Sequence, residues 1–316
     1  MTNIKPAIVF AGTPVFAAQH LQALINAGHN IVGVYTQPDR PAGRKKKLAL
    51  SAVKTVAIEN NLPVFQPENF KQAEDIEQLA SLGPDILVVV AYGLILPQAV
   101  LDIPRLAPIN VHASLLPRWR GAAPIERAIE AGDTESGLGI MVMEAGLDTG
   151  PVLAEARVDI DGGMTGDELR AALSDLGCKH LLTCINALVK ARAVATPQST
   201  QGVCYAHKLQ RHETAIDWSQ SAVLIHNKVR AFHSSNVTTF NVQETRVKLW
   251  RSHLSELTAD AIAGTIISHD DKCIHVQCGS GVLALNQLQL PGKKALRTAD
   301  ILNGNAALFA LGTVLS

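Results

Sequence analysis

Asn110 and His112 stand two residues apart in the run 109–112, whose apolar, β-branched setting predicts a strand. Residues i and i+2 of a strand face the same side, so an amide and an imidazole would be presented together. An amide N–H donates to a developing oxyanion, and an imidazole moves a proton or supports that charge. By itself such a pair is more often a structural hydrogen-bonding pair. The residues that follow shift the balance. Ser114-Leu115-Leu116-Pro117-Arg118-Trp119-Arg120-Gly121-Ala122-Ala123-Pro124 begins just past the strand's carboxyl end, where open α/β sheets bind ligands, and has the rigid turn residues and fixed charges of a ligand-cradling loop. A second Gly-flanked loop, Glu144-Ala145-Gly146-Leu147-Asp148-Thr149-Gly150, adds a carboxylate. A lone Asp in such a turn is usually a turn former. With the amide and imidazole on adjacent loops, Asp148 completes a set suited to acyl transfer.

Two phosphate-binding alternatives fail on spacing. Gly12-Thr13-Pro14 follows the first strand-like run, but Pro14 and Ala17 occupy the positions where a dinucleotide fingerprint needs its second and third glycines. Gly292-Lys293-Lys294 has neither the partner glycine nor the following hydroxyl of a phosphate-cradling loop. A different anion-binding element is the basic run Arg40, Arg44, Lys45, Lys46 and Lys47, opposed within the run only by Asp39 and flanked by Pro38, Pro41 and Gly43. Charge alone makes it a solvated loop; its functional alternative is an arm that grips nucleic-acid phosphates. Aromatic residues are only 4% of the chain, which disfavours base stacking as the main grip.

The elements that must position these groups follow from periodicity. Apolar residues at 7–11, helical spacing through Phe16, Leu21, Leu24 and Ile25, and a second apolar run at 31–35 predict strand, helix, strand. The unit continues with a helix at 52–59, a strand at 64–65, a helix at 76–82 and the continuous apolar run 86–91. Such runs are buried on both faces, as in a doubly wound, mainly parallel sheet. Further expectations are a helix at 124–131, an antiparallel pair at 138–143 and 152–158, and a long amphipathic helix at 165–190. The segment 191–207, rich in turn formers, is the expected linker. Beyond it a helix at 219–232, capped by Asp217 or Ser219, precedes short β-like runs at 246–250, 264–267, 274–278 and 282–290, the spacing of a small β-barrel.

The length of 316 residues supports about two domains. The expected division is 1–190 catalytic, 191–207 linker and 208–316 β-barrel. With 28 Lys plus Arg against 28 Asp plus Glu, net charge exerts no global pull on nucleic acid or membrane, so a polyanion must be held by a local patch. The balance is uneven, with 17 basic and 20 acidic residues in 1–207 and 11 basic and 8 acidic in 208–316. Five cysteines without Cys-x-x-Cys spacing suggest reduced thiols and no metal site. The N-terminal residues lack a signal peptide's features, and the longest apolar stretch, 86–96, is too short to span a bilayer. A cytoplasmic monomer without membrane contact is expected.

The string 110–121, together with Gly146-Leu147-Asp148-Thr149-Gly150 and Gly12-Thr13-Pro14, resembles the folate-dependent formyltransferases. Gln37-Pro38-Asp39-Arg40-Pro41-Ala42-Gly43-Arg44, the stretch 88–97, Ile216-Asp217-Trp218 and Pro291-Gly292-Lys293-Lys294 extend the resemblance from about residue 5 to about residue 300, toward the tRNA-directed branch of that family. The resemblance implies formyl transfer from 10-formyltetrahydrofolate to the α-amino group of methionine on initiator tRNA. It implies Asn110, His112 and Asp148 as the catalytic trio, and Ser114, Leu115, Leu116 and Pro117 as a loop lining the folate site. Tyr92, Gly93, Leu94, Ile95 and Leu96 would lend backbone groups to the pterin, and Arg40, Arg44, Lys45, Lys46 and Lys47 would contact tRNA. The C-terminal domain would also help hold tRNA, as an OB-like barrel. Three positions depart from the family pattern: Val15 where an acid is usual, Gly139 where a Thr is usual, and His233-Ser234-Ser235-Asn236 in place of Asn-Pro-Trp-Pro. The rival readings are a formyltransferase of a small amine, such as glycinamide ribonucleotide or a nucleotide-linked amino sugar, and a tRNA-binding protein that has lost catalysis.

Overall fold

A computed structural model describes residues 5–42, 47–234, 236–270 and 272–316. The chain forms two compact units. One runs through Ala122 and adds Gly137–Val158 and Arg170–Ala206; the other comprises Ala123–Ser136, Asp159–Leu169 and His207–Ser316.

The first unit is built on seven strands: β1 (Ala7–Gly12), β2 (Asn30–Tyr35), β3 (Val64–Phe65), β4 (Ile86–Val90), β5 (Ala107–His112), β6 (Glu135–Val142) and β7 (Val152–Asp159). Their order is β7-β6-β5-β4-β1-β2-β3. Strands β3, β2, β1, β4 and β5 are parallel, and β6 runs antiparallel to β5. All five residues of β4 are buried, as a strand covered on both faces must be. The chain leaves β1 toward β2 on one side and returns to β4 on the other, so the sheet reverses direction between β1 and β4. The carboxyl ends of strands at such a point form the crevice in which open α/β sheets bind ligands. Helix α1 (Val15–Asn26) buries Phe16, Leu21 and Leu24, each contributing roughly 1.5–3 kcal/mol of apolar burial. Gly12 lets it start so close to the sheet, because a Cβ there would lie 2.8 Å from the Val90 carbonyl.

In the second unit, α2 (Pro124–Glu130), the first residues of α3 (Gly166–Val189) and α4 (Ala222–Ala231) accompany an antiparallel sheet. Its main strands are β8 (Thr238–Val242), β9 (Thr245–Ser255), β10 (Ile266–His269), β11 (Ile274–Gln277) and β12 (Val282–Gln289), in the order β8-β9-β12-β11-β10. Residues 312–316 bridge the two outer strands. Ser316 exchanges backbone hydrogen bonds with Asn241, Ile266 N donates to Thr313 O at 2.8 Å, and Leu315 N donates to Gly264 O at 2.8 Å. The expected small antiparallel β domain is therefore present, closed by a segment without strand-like patterning. Its core gathers Trp218, Phe240, Ile274, Leu285 and Phe309.

Two local expectations change. Helix α4 is capped by Ser221, whose hydroxyl accepts from Leu224 N at 3.2 Å, not by Asp217 or Ser219. Asp217 instead accepts from the backbone N–H and hydroxyl of Ser219, closing its own turn. Strand β8 has no counterpart among the expected runs, since Thr238, Thr239 and Asn241 interrupt its apolar pattern.

Candidate active site

Asn110 and His112 lie at the end of β5, both nearly buried and on one face as the strand period requires. Asp148 comes from the loop between β6 and β7. Its Oδ1 accepts from Asn110 Nδ2 at 3.2 Å, and its Oδ2 accepts from the backbone N–H of Gly121 at 2.8 Å. The same Oδ2 lies 3.6 Å from His112 Nδ1. The far side of the ring is tied down: His112 Nε2 donates to the Trp119 carbonyl at 2.8 Å, since a carbonyl can only accept. The neutral ring therefore carries its proton on Nε2 and turns an unprotonated Nδ1 toward the carboxylate. A proton taken up at Nδ1 would be held between imidazole and Asp148. Asp148 and Trp119 both sit in the left-handed backbone region, at φ 53° and 61°. Such strain persists only where the surroundings hold it, and it clusters at functional sites.

Several supporting groups escaped sequence reasoning. Gln198, inside the segment read as a linker, donates from Nε2 to the carbonyls of Asp148 at 2.8 Å and Gly150 at 2.7 Å. Its Oε1 accepts from Arg120 Nε and Nη2 at 3.1 and 2.7 Å. Thr196 exchanges backbone hydrogen bonds with Val152, and Tyr205–Ala206 pairs in parallel with Arg120–Gly121. Gly121 is required there, with φ 119° and a Cβ position 2.8 Å from the Ala206 carbonyl. Local sequence could not reveal this bracing, because Thr-Pro-Gln-Ser-Thr-Gln-Gly has the composition of a free loop.

The two loops assigned to the folate site occupy the expected strand ends. Ser114 is fully buried and its hydroxyl donates to Arg118 O at 2.6 Å, so it shapes the loop from within. Leu115 and Pro117 are half-buried and Leu116 is buried. The Leu116–Pro117 bond is cis. Gly139 pairs directly with His112 across the sheet, and a Cβ at Gly139 would stand 3.4 Å from Leu116, so the departure from Thr leaves that contact unmade. After β4, the Tyr92 carbonyl accepts from Thr13 Oγ1 at 3.0 Å and Gln37 Nε2 at 3.1 Å, which joins three loops at the switch point. That carbonyl is thus occupied within the protein. Burial, followed by the neighbouring Tyr35 and Asp75, pushes the Tyr92 phenol above its usual range.

Gly93 has φ 82°, and any side chain there would meet Gln37 Nε2 at 2.4 Å. The backbone groups of 93–96 make no backbone hydrogen bonds among the described residues. Ile95 is 92% exposed beside half-buried Leu94 and Leu96. Free amide groups next to apolar surface fit a flat, hydrogen-bonding heterocycle such as a pterin. Among the described residues, no group of three His, Cys, Asp or Glu is placed to hold a metal. Val15, at the start of α1, is 65% exposed and supplies none of the charge that an acid would bring to a helix N-terminus.

The basic run is only partly described. Arg40–Ala42 pairs antiparallel with Lys47–Ala49, forming a ribbon with Arg40 exposed. Arg44, Lys45 and Lys46 lie outside the described residues, as does the side chain of Lys47. Asp39, the acid of the run, is held by Lys54 Nζ at 2.6 Å and Gln66 Nε2 at 2.9 Å. The Lys54 hydrogen bond, with Gln66 next, keeps the Asp39 carboxyl below its usual range.

In the second unit His233, the first residue of the departing segment, has its own bracing. His233 Nδ1 lies 3.1 Å from Asp167 Oδ2, and its ring packs edge-on against Trp250 at 5.6 Å. An indole thus packs beside this segment although the segment itself lacks a Trp.

A doubly wound sheet with an amide, an imidazole and a carboxylate brought together beyond one strand end, followed in sequence by a small antiparallel β unit, defines a two-part α/β protein. Residues 4–185 match the formyl transferase family and residues 208–306 match the formyl transferase C-terminal domain, so the chain belongs to the formyl transferase family. Its fold is similar to HypX from Aquifex aeolicus in complex with tetrahydrofolic acid, at 14% identity and a TM-score of 0.63, over 94% of this chain and 46% of that one. The chain spans about half the length of the HypX chains it matches. An N-formyltransferase from Helicobacter canadensis, in complex with folinic acid and dTDP-3-aminofucose, is similar at 17% identity and a TM-score of 0.64, covering 89% of this chain and 99% of that one. Glycinamide ribonucleotide transformylase 1 from Symbiobacterium toebii matches 62% of this chain and 95% of its own, at 18% identity and a TM-score of 0.53. No helix among the described residues is long and apolar enough to cross a membrane.

Proposed function

We propose that the chain transfers a formyl group from 10-formyltetrahydrofolate to the α-amino group of methionine on initiator tRNA, in the cytoplasm, as a step of translation initiation. The observation that carries the chemistry is the Asp148 carboxylate shared between Asn110 Nδ2 at 3.2 Å and His112 Nδ1 at 3.6 Å. The acceptor rests on the resemblance of the sequence and on its basic run Arg40, Arg44, Lys45, Lys46 and Lys47. In this reading 1–190 is the catalytic domain, 191–207 the connecting segment, and 208–316 the domain that helps hold tRNA.

The formyl donor supplies an activated one-carbon acyl group, and the chain does the rest. Attack by the amine nitrogen places negative charge on the formyl oxygen and positive charge on nitrogen. Asn110 spends one Nδ2 proton on Asp148 and has a second to donate to the oxyanion. The Nε2 proton of His112 is committed to Trp119, so Nδ1, backed by Asp148, is the atom that accepts the amine proton. The same imidazolium then returns a proton to the departing nitrogen. Losing one oxyanion donor typically costs about 2.7–4 kcal/mol of barrier.

A second reading, formylation of a nucleotide-linked amino sugar, is favoured by the near end-to-end match with the Helicobacter canadensis N-formyltransferase. The deciding experiment offers the protein 10-formyltetrahydrofolate with methionyl-initiator tRNA, free methionine or a dTDP-amino sugar, and follows N-formylation of each. Turnover confined to the charged tRNA supports the reading, and turnover confined to the sugar nucleotide overturns it.

A further inference from the structure

The second unit contains a groove of about 280 Å³ whose lining includes His226, Arg230, Trp250, Arg251, His253 and Asn286. Every lining residue belongs to this unit, and none takes part in the proposed chemistry. Arg230 and His226, nearly buried on α4, form its floor. Arg230 is fixed by its neighbours: Nε and Nη2 donate to Asn227 Oδ1 at 3.1 and 2.8 Å, and Nη1 donates to the carbonyls of Asp161 and Met164 at 2.9 and 3.3 Å. Asn227 and the two carbonyls are neutral acceptors, and the Asp161 carboxylate is the charged neighbour that favours the Arg230 cation. His226 Nε2 donates to Gly162 O at 2.9 Å, and Nδ1 shares a 3.0 Å hydrogen bond with the Ser252 hydroxyl. Burial first, and the nearby Arg230 and His253 after it, lower the tendency of His226 to take a proton. The groove therefore carries two guanidinium cations, Arg230 at its base and Arg251 at its rim, with Asp161 and Glu168 as their acidic neighbours.

The rim is more open. Arg251 is half-exposed and makes a 3.4 Å contact with the similarly exposed Glu168, the kind of surface pair that a better anion displaces. His253 Nδ1 faces Asn286 Oδ1 at 2.8 Å, orienting an exposed ring at the same rim. Trp250 is fixed through Nε1 to Gln289 at 3.0 Å and packs against His233, in the segment where the chain departs from the family pattern. A fixed buried cation behind an exchangeable guanidinium, with oriented polar groups around both, suits an oxyanion such as a phosphate.

We propose that this groove is a phosphate subsite that takes one phosphodiester of the polynucleotide acceptor, with Arg251 and His253 in contact and Arg230 supplying charge from beneath. The inference rests on the reading of tRNA as acceptor. Its openness suits a backbone phosphate of a large ligand, and Arg251 is placed to exchange Glu168 for it.

The test measures binding of methionyl-initiator tRNA at several salt concentrations to the wild-type chain, Arg251→Ala, Arg251→Lys and Arg251→Ala/His253→Ala, with thermal midpoints as folding controls. A parallel arm titrates inorganic pyrophosphate. Arg251→Ala should weaken tRNA binding roughly three- to tenfold near 0.15 M salt and lower the slope of log K against log salt by about one, with Arg251→Lys recovering the slope. The double variant should weaken binding further. Wild-type tRNA binding that Arg251→Ala and the double variant leave unchanged overturns the subsite while the tRNA reading stands. Arg251-dependent binding of pyrophosphate with unchanged tRNA binding also overturns it, assigning the groove to a small phosphorylated ligand. A wild-type chain that does not bind tRNA sinks the acceptor reading and the subsite together.

Discussion

Asp148 Oδ2 lies 3.6 Å from His112 Nδ1 while the opposite nitrogen of the ring donates to Trp119 O. The imidazole is therefore held from both sides, and the nitrogen facing the carboxylate is the one free to gain a proton. Asp148→Ala removes that partner and the anchor of Asn110. It should lower kcat about 10²- to 10³-fold, with a modest loss of stability, about 1–3 kcal/mol, from the stranded Asn110 and Gly121 donors. His112→Ala should lower kcat by a similar factor. Steady-state kinetics paired with thermal melts check both, and near wild-type turnover in either would sink the assignment.

Gln198 holds the Asp148 loop from behind without contact to a reacting atom. Gln198→Ala leaves the nearly buried Arg120 guanidinium without its acceptor and frees the carbonyls of Asp148 and Gly150. A stability loss of about 1–3 kcal/mol follows from the stranded donors. Because the carboxylate then samples more positions, kcat should fall more than KM rises. Gln198→Glu, which keeps the acceptor for Arg120, should restore most of the stability and little of the rate.

Gly121 combines a φ of 119° with a Cβ position 2.8 Å from Ala206 O, and its N–H serves Asp148. Gly121→Ala must move the backbone. We expect a loss of about 1–3 kcal/mol in denaturant unfolding and a parallel loss of turnover.

In the second unit, Asp270 Oδ2 lies 2.8 Å from His275 Nε2, and Oδ1 accepts from the backbone N–H groups of Lys272 and Cys273 at 2.7 Å. The His275 hydrogen bond, then that of Lys272, pulls the Asp270 carboxyl down to about 2. An unfolded Asp titrates near ~3.9. A depressed carboxylate stabilises the fold above that value and loses the contribution as pH falls toward 2. Melting midpoints between pH 5 and 2 should therefore fall less steeply in Asp270→Asn than in the wild-type chain. The difference should be small, because the carboxylate is half-exposed.

The basic run offers a test independent of the groove. Replacing Lys45, Lys46 and Lys47 with Ala should weaken tRNA binding and flatten its salt dependence while folate binding is unchanged. An unchanged salt slope would count decisively against an arm that grips tRNA.

The central architecture was legible because its signals are local and repeated. The continuous run in β4, the helical spacing of α1 and the alternation that puts Asn110 beside His112 depend only on backbone period. Strand β8 was not legible, since polar Thr238 and Thr239 are buried there through hydrogen bonds and packing that arise only after folding. The cap of α4 was misread because Asp217, Ser219 and Ser221 all have capping chemistry and differ only in backbone geometry.

Residue types and spacing alone determined that an amide and an imidazole share one face at the carboxyl end of a strand, that a carboxylate lies in a later Gly-flanked loop, and that a polyanion would need a local patch. Tertiary structure alone decided which nitrogen of His112 meets Asp148, that Gln198 from a linker-like segment holds that loop, that residues 312–316 close the β unit, and that Arg230 and Arg251 share one groove. The physical reason is range. Strand and helix periods are set by neighbours a few residues away, whereas these contacts join groups tens of residues apart whose only shared property is the place to which the sheets carry them.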